Sequence, residues 1–274
     1  MTEARSLLPA VITLAKQAGA AILDVYSRQI EVTSKADQSP LTLADLRSHE
    51  IIVAGLRSLT PDVPVLSEEA SDIPFEVRRK WQRYWLVDPL DGTKEFVSRN
   101  GEFTVNIALV ENHVATMGIV YVPVKDTLYA GVVGDGAFRQ VGSEPRIAIA
   151  THSPPPSELR VVGSRSHGAD SLDSYLSLLG PHRLLKVGSS LKFCLVAEGA
   201  ADLYPRFGPT SEWDTAAAQA VIEAAGGAVV TRDGKPLRYN TKANILNPDF
   251  LVFGDASRDW LAKLPGSGDQ TPSD

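Results

Sequence analysis

The 274-residue chain has one cysteine, Cys194, so no internal disulfide can form and a reducing compartment is expected. It has no long basic run, and its formal charge is −6, which argues against a nucleic-acid polymer as partner. Its five histidines (His49, His113, His152, His167 and His182) are scattered without zinc spacing. The apolar N-terminal stretch is broken by Lys16 and Gln17, so neither a signal peptide nor a transmembrane segment is expected; the expected location is the cytoplasm. Several chemistries are missing too. A cysteine-based phosphatase needs an arginine six residues after its nucleophile, and Ala200 stands there. An aspartyl-phosphate enzyme needs two aspartates at i and i+2, whereas Asp88 and Asp91 are three apart. Neither a P-loop nor a Gly-x-Ser-x-Gly elbow occurs.

What remains is an ordinary globular composition, 43% apolar and 22% charged, enough for one large domain or two small ones. Helical spacing of Leu7, Val11, Ala15, Ala18, Ile22 and Val25 predicts a helix over 4–27. A turn over 37–40 leads to a second helix, 41–59, with Leu46, Ile51, Ile52 and Leu56 as core positions and Pro61 and Pro64 beyond its end. A short apolar run over 63–66 leads into Ser67-Glu68-Glu69, and 84–87 reads as a buried strand; from Thr104 onward strands at 104–110, 114–122 and 128–133, joined by short turns, suggest an antiparallel sheet. Residues 152–156, with three prolines, read as a linker. Beyond it strands at 159–162, 184–187, 228–231 and 250–253 alternate with helices at 171–179, 191–197 and 215–225, an α/β pattern. The division read from this is 1–150, 151–264 and a disordered tail over 265–274.

The densest chemical signal is Asp88-Pro89-Leu90-Asp91-Gly92-Thr93, directly after the apolar run 84–87. Two carboxylates and a proline turn end a buried strand, and Gly-Thr opens a helix. Hard cations want oxygen ligands, and free N–H groups at a helix start suit a phosphate. Asp45, Glu68-Glu69 and Asp214 are further acidic points. Were the fold to gather them, a divalent cation is the simplest reason, Mg²⁺ or Mn²⁺ rather than zinc. Taken singly, each has a plainer reading: Asp45 a charge facing a helix dipole, Glu68-Glu69 a solvated loop, Asp214 the N-cap of the helix that follows. Lys192 reads equally as a solvated helix-face residue, and Cys194, among Phe193, Leu195 and Val196, as core.

Glu68-Glu69, Asp88–Thr93 and Trp213-Asp214, preceded by Asp37–Asp45, resemble in this order the motifs of the metal-dependent, lithium-sensitive phosphatase superfamily that includes inositol monophosphatase. Lys94-Glu95-Phe96, Gly163–His167, Gly188–Cys194 and Tyr204–Pro209 resemble its bisphosphate nucleotidase branch. The resemblance implies a layered α-β-α-β-α sandwich (α+β or α/β) that hydrolyses adenosine 3′,5′-bisphosphate to AMP and phosphate, clearing a by-product of sulfate assimilation. It implies two or three Mg²⁺ ions, with Mn²⁺ as a substitute, on Glu68, Asp88, Asp91, Asp214 and the Leu90 carbonyl. Thr93, assisted by Glu68 or Asp45, would activate a water. Asp91, Gly92, Thr93, Ser164, His167, Gly188, Lys192 and Arg206 would hold the substrate. An inositol monophosphatase or sugar bisphosphatase on the same scaffold is the alternative, and a metal- or nucleotide-binding protein without turnover a more distant one. Superfamily members occur as monomers and dimers, so a homodimer is open. Some members are assigned to the cytoplasmic face of the inner membrane; here any attachment would be peripheral.

Overall fold

The computed structural model describes residues 3–27, 40–153, 157–163 and 169–264. The turn expected over 37–39, the triple-proline part of the linker, Ser164 to His167 and the tail lie outside the described residues.

Helices α1 (Glu3–Ser27) and α2 (Pro40–Leu59) come first. In α1 the stripe Leu8, Val11, Ile12, Ala15, Ala18, Ile22 and Val25 is buried, while Leu7, expected in the core, is only half-buried because Leu8 takes the inward position. Leu46 and Ile51 are likewise half-buried; Ala44, Ile52 and Leu56 form the inward face of α2. No uninterrupted apolar run spans α1. Even so, among the described residues it is the one helix long and apolar enough, by length and composition, to cross a membrane. Here its apolar stripe packs on a sheet instead.

That sheet has seven strands in chain order: β1 (Val65–Ser67), β2 (Arg83–Asp91), β3 (Thr104–Glu111), β4 (Val114–Val122), β5 (Thr127–Val132), β6 (Gly136–Val141) and β7 (Ile147–Ile149). Short helix α3 (Phe75–Arg78) lies in the β1–β2 connection and α4 (Thr93–Val97) follows β2. All neighbours are antiparallel except β1 and β2, which run parallel with Ser67 opposite Val87. The β3–β4 turn puts Asn112 and His113 at positive φ, the conformation a tight hairpin needs. Strands β6 and β7 went unforeseen: they are half-exposed, so they carry little apolar alternation.

The second sheet has the order β11-β12-β10-β8-β9, from β8 (Leu159–Gly163), β9 (His182–Lys186), β10 (Leu203–Arg206), β11 (Ala228–Thr231) and β12 (Phe250–Phe253). Its helices are α5 (Ala169–Leu179), α6 (Leu191–Ala197) and α7 (Glu212–Ala224). Strand β10 was missed in the sequence because it is four residues long and contains Pro205. The helix expected from Thr215 begins three residues earlier, with Ser211 as its N-cap. Asp214 is therefore a first-turn residue and not the cap.

The layers follow from three apolar clusters. One joins α1 and α2 to one face of the first sheet. The second joins the sheet's other face to α6 and α7 and then to β10, β11 and β12. The third packs α5 and Trp260 on the outer face of the second sheet. This is an α-β-α-β-α sandwich. Helix α7, late in the chain, lies against β4 so closely that a Cβ on Gly118 would stand 1.9 Å from the Ala217 carbonyl oxygen. Its buried alanines, Ala216, Ala217, Ala218 and Ala220, permit that approach.

Candidate active site

Strands β1 and β2 run parallel, so their C-terminal ends open at the same edge of the sheet. β1 delivers Glu68 and Glu69 on a single 3-10 turn. β2 delivers Asp88 and Asp91, and between them its pairing with β3 slips out of register. That irregularity follows from Pro89, which has no N–H for the ladder. The Leu90 N–H bonds the Asp88 Oδ1 instead, at 3.0 Å. Gly92 then turns the chain at φ 101°, a conformation that favours glycine, and α4 starts at Thr93.

From the other side comes the first turn of α7. There the Ser211 N–H donates to Asp214 Oδ2 at 2.9 Å, fixing the carboxylate over the helix start. Asp91 Oδ2 accepts from Ser190 Oγ at 2.9 Å, and the same hydroxyl is 2.6 Å from the Asp214 carbonyl oxygen. Glu68, Asp88, Leu90, Asp91, Gly92, Thr93, Gly188, Lys192, Arg206 and Asp214 all line one cavity of about 300 Å³. Asp45, on α2, does not line it but stands close enough to Glu68, Glu69 and Asp88 to feel their charge.

The electrostatics are those of crowded acids. Asp88 is fully buried, and its pKa is pushed well above the usual carboxylate range by burial and then by Asp91, Glu68, Asp214 and Asp45. Asp45 is raised to about 8 by burial and by Glu69 and Glu68. Asp214 is raised to about 8 by burial and by Asp91. Glu68, open to solvent at the rim, is raised by burial of its carboxylate and by Asp91 and Glu69, against the opposing pull of a hydrogen bond with Asp88. Among the described residues no three His, Cys, Asp or Glu side chains are already closed into a ligand set. The acids ring the cavity instead. The donor set still fits a hard divalent cation: it is all oxygen, several carboxylates converge, and burial and neighbouring charge disfavour the ionised forms of Glu68, Asp88 and Asp214.

Lys192 and Arg206 form a cationic wall. Lys192 is 6% exposed, so it is no solvated helix-face residue. Its Nζ donates to the Ser189 carbonyl at 2.6 Å and lies 5.5 Å from the centre of the Tyr204 ring. Burial pulls its pKa down to about 8, against the pull of Asp91. Arg206, 7% exposed, donates through Nη2 to the Pro209 carbonyl at 2.6 Å, while its buried Nε has no protein partner. Gly188 lets the Glu95 side chain lie against its backbone, since a Cβ there would come within 2.4 Å of Glu95 Cγ and displace it.

Sequence reasoning did not single out Ser190, Glu95, Tyr204 or Thr210, which also line the cavity. Three of them fall inside stretches that carry the family resemblance, but neutral side chains and a lone glutamate give no chemical signal of their own. Cys194 is buried in the core as expected.

A family model described as the inositol monophosphatase family matches residues 3–262. A curated relative, the 3′(2′),5′-bisphosphate nucleotidase CysQ of Escherichia coli strain K12, is 53% identical over 249 residues, 90% of this chain and 99% of the relative. Its namesake in Haemophilus influenzae is 36% identical over 261 residues, 95% of this chain and 97% of that one. Among solved structures, CysQ from Bacteroides thetaiotaomicron is similar with a TM-score of 0.82 and 46% identity, covering 93% of this chain and 98% of that one. An inositol monophosphatase from Anabaena gives a TM-score of 0.77 at 25% identity, with 96% of each chain covered.

Proposed function

The chain belongs to the inositol monophosphatase family, and from that membership we propose that it is a 3′(2′),5′-bisphosphate nucleotidase hydrolysing adenosine 3′,5′-bisphosphate to AMP and phosphate. The observation that carries the reading is one cavity with two walls. One is the acid cluster of Glu68, Asp88, Asp91 and Asp214; the other is the buried pair Lys192 and Arg206. A substrate with one phosphate at the reacting centre and a second some distance away needs both. The near-complete coverage of relatives named as bisphosphate nucleotidases supports the same choice.

The family is generally metal-dependent, and Mg²⁺ is the proposed ion. Glu68, Asp88, Asp91, Asp214 and the Leu90 carbonyl would hold it. Held there, a divalent cation would supply positive charge against the phosphate and would lower the pKa of a water toward neutrality. The chain's own residues do the rest. The Thr93 hydroxyl at the cavity rim orients the attacking water, and Glu68 or Asp45 takes its proton. Burial raises the pKa of both carboxyls, which makes their ionised forms stronger bases. The ester P–O bond breaks as the new one forms, and the proton taken from the water passes, through solvent, to the leaving ribose oxygen. Gly92, which has no side chain to obstruct, allows the scissile phosphate to approach the Thr93 backbone. Lys192 donates to the distant phosphate as a point charge and Arg206 through its unpaired Nε–H. Ser164 and His167 remain candidates for the nucleoside.

A panel of adenosine 3′,5′-bisphosphate, inositol 1-phosphate and fructose 1,6-bisphosphate, each with Mg²⁺, tests the reading. The expected result is a kcat/KM at least about ten-fold higher for the nucleotide. Preference for either other substrate would overturn it, and inactivity on all three would overturn catalysis itself.

A further inference from the structure

Ser190 does more than line the cavity. It is 1% exposed and stands where four elements meet. Its Oγ accepts from Asn106 Nδ2 on β3 at 3.0 Å. It lies 2.9 Å from Asp91 Oδ2 at the end of β2 and 2.6 Å from the Asp214 main-chain oxygen in the first turn of α7. Its own place, as the residue before α6, follows Ser189, which adopts φ +48° although it is not glycine.

A serine hydroxyl has one proton and two lone pairs. Asn106 Nδ2 donates to it, so the single O–H must point away from β3, toward Asp91 and the α7 carbonyl. Asn106 is also 1% exposed and pairs across the ladder with Asp88. Asn106 thereby sets the direction of the hydroxyl, and Ser190 links the acid on the first sheet to the helix that carries Asp214. The Thr104 hydroxyl also faces Asp91 Oδ2, at a long 3.5 Å.

We propose that Ser190, oriented by Asn106, is a positioning residue that fixes Asp91 and the first turn of α7 at the separation a divalent cation requires. The proposal rests on the metal reading above. Groups that orient a ligand typically change metal affinity by about ten- to a hundred-fold when removed.

The test is titration of the purified protein with Mn²⁺ alone, followed by calorimetry, for the wild type, Ser190→Ala, Ser190→Thr, Asn106→Ala and the double alanine variant. The metal-free melting temperature of each is measured beside it, so that a loss of fold is seen separately. Ser190→Ala is expected to weaken Mn²⁺ binding about ten-fold or more. Ser190→Thr, which keeps the hydroxyl, is expected to restore most of it. Asn106→Ala is expected to weaken binding, and the double variant to be no weaker than Ser190→Ala, because both act through one hydroxyl. Wild-type affinity in Ser190→Ala, or independent losses that multiply in the double variant, would overturn the proposal. A wild type that binds no Mn²⁺ would overturn the metal reading itself, and that outcome is distinct from a wild type that binds while the variants bind equally well.

Discussion

Removing divalent cations makes the acid cluster a measurable liability. Asp214 has an ordinary pKa of 3.8 and is pushed to about 8 in the fold. A carboxyl raised this way favours the folded state fully below pH 3.8 and loses that contribution as pH rises through about 8. A rise of about four pH units corresponds to about 6 kcal/mol. Because the neighbouring acids share one field, a single such cost is counted. Halving it for the solvent that enters the cavity leaves about 3 kcal/mol. For a chain of this size each kcal/mol moves the melting temperature by roughly 2–4 °C. The interval from pH 5 to pH 8 covers about two-thirds of this, about 2 kcal/mol, so protein treated with a chelator should melt about 4–8 °C lower at pH 8 than at pH 5. Addition of Mg²⁺ at pH 8 should recover most of the loss, since a ligand that binds only the folded state stabilises it. Scanning calorimetry across that range, with and without Mg²⁺, is the assay. A chelated melting temperature that is flat or rises from pH 5 to pH 8 would show that these carboxylates do not confront one another as described.

Three further outcomes are expected. Asp88→Asn keeps an oxygen for the Leu90 N–H but removes a charge at the centre of the cluster; Mg²⁺-dependent phosphate release should vanish while the metal-free protein melts no lower than wild type. Near-normal turnover in that variant would remove Asp88 from the metal site. Lys192→Ala should raise KM for the bisphosphate by about ten- to a hundred-fold, the worth of one charge-assisted hydrogen bond, with far less effect on a nucleoside monophosphate; equal effects on both would take Lys192 out of phosphate recognition. Gly118→Ala should cost about 3 kcal/mol or more, because the new methyl meets the α7 backbone and no flexible side chain; a melting temperature within 2 °C of wild type, about 1 kcal/mol at most, would contradict the contact.

The order of elements and most of their bounds were legible along the chain, because helical and alternating periodicities are local properties. The stripe of α1, the strands β3 to β5 and the 191–197 helix needed nothing beyond neighbouring residues. Short or half-exposed strands were not legible: β10 and β7 exist because a sheet offers them hydrogen-bond partners, not because their own residues insist on it. The acids of the site were equally visible as residues, since Asp-Pro-Leu-Asp-Gly-Thr is a rare arrangement of charge and turn. What each one does depends on neighbours far away in the chain. Asp214 alone reads as a cap, and only the packing of α7 on β4 brings it to Asp91. Lys192 alone reads as a surface lysine, and only the fold buries it beneath Tyr204. Ser190 carries no signal at all until β2, β3 and α7 surround its hydroxyl. The residues and the order of their motifs therefore indicated which chemistry this chain resembles. The tertiary structure decided which groups meet in one cavity, because burial and electrostatic coupling depend on distance in space, and distance along the sequence does not report that.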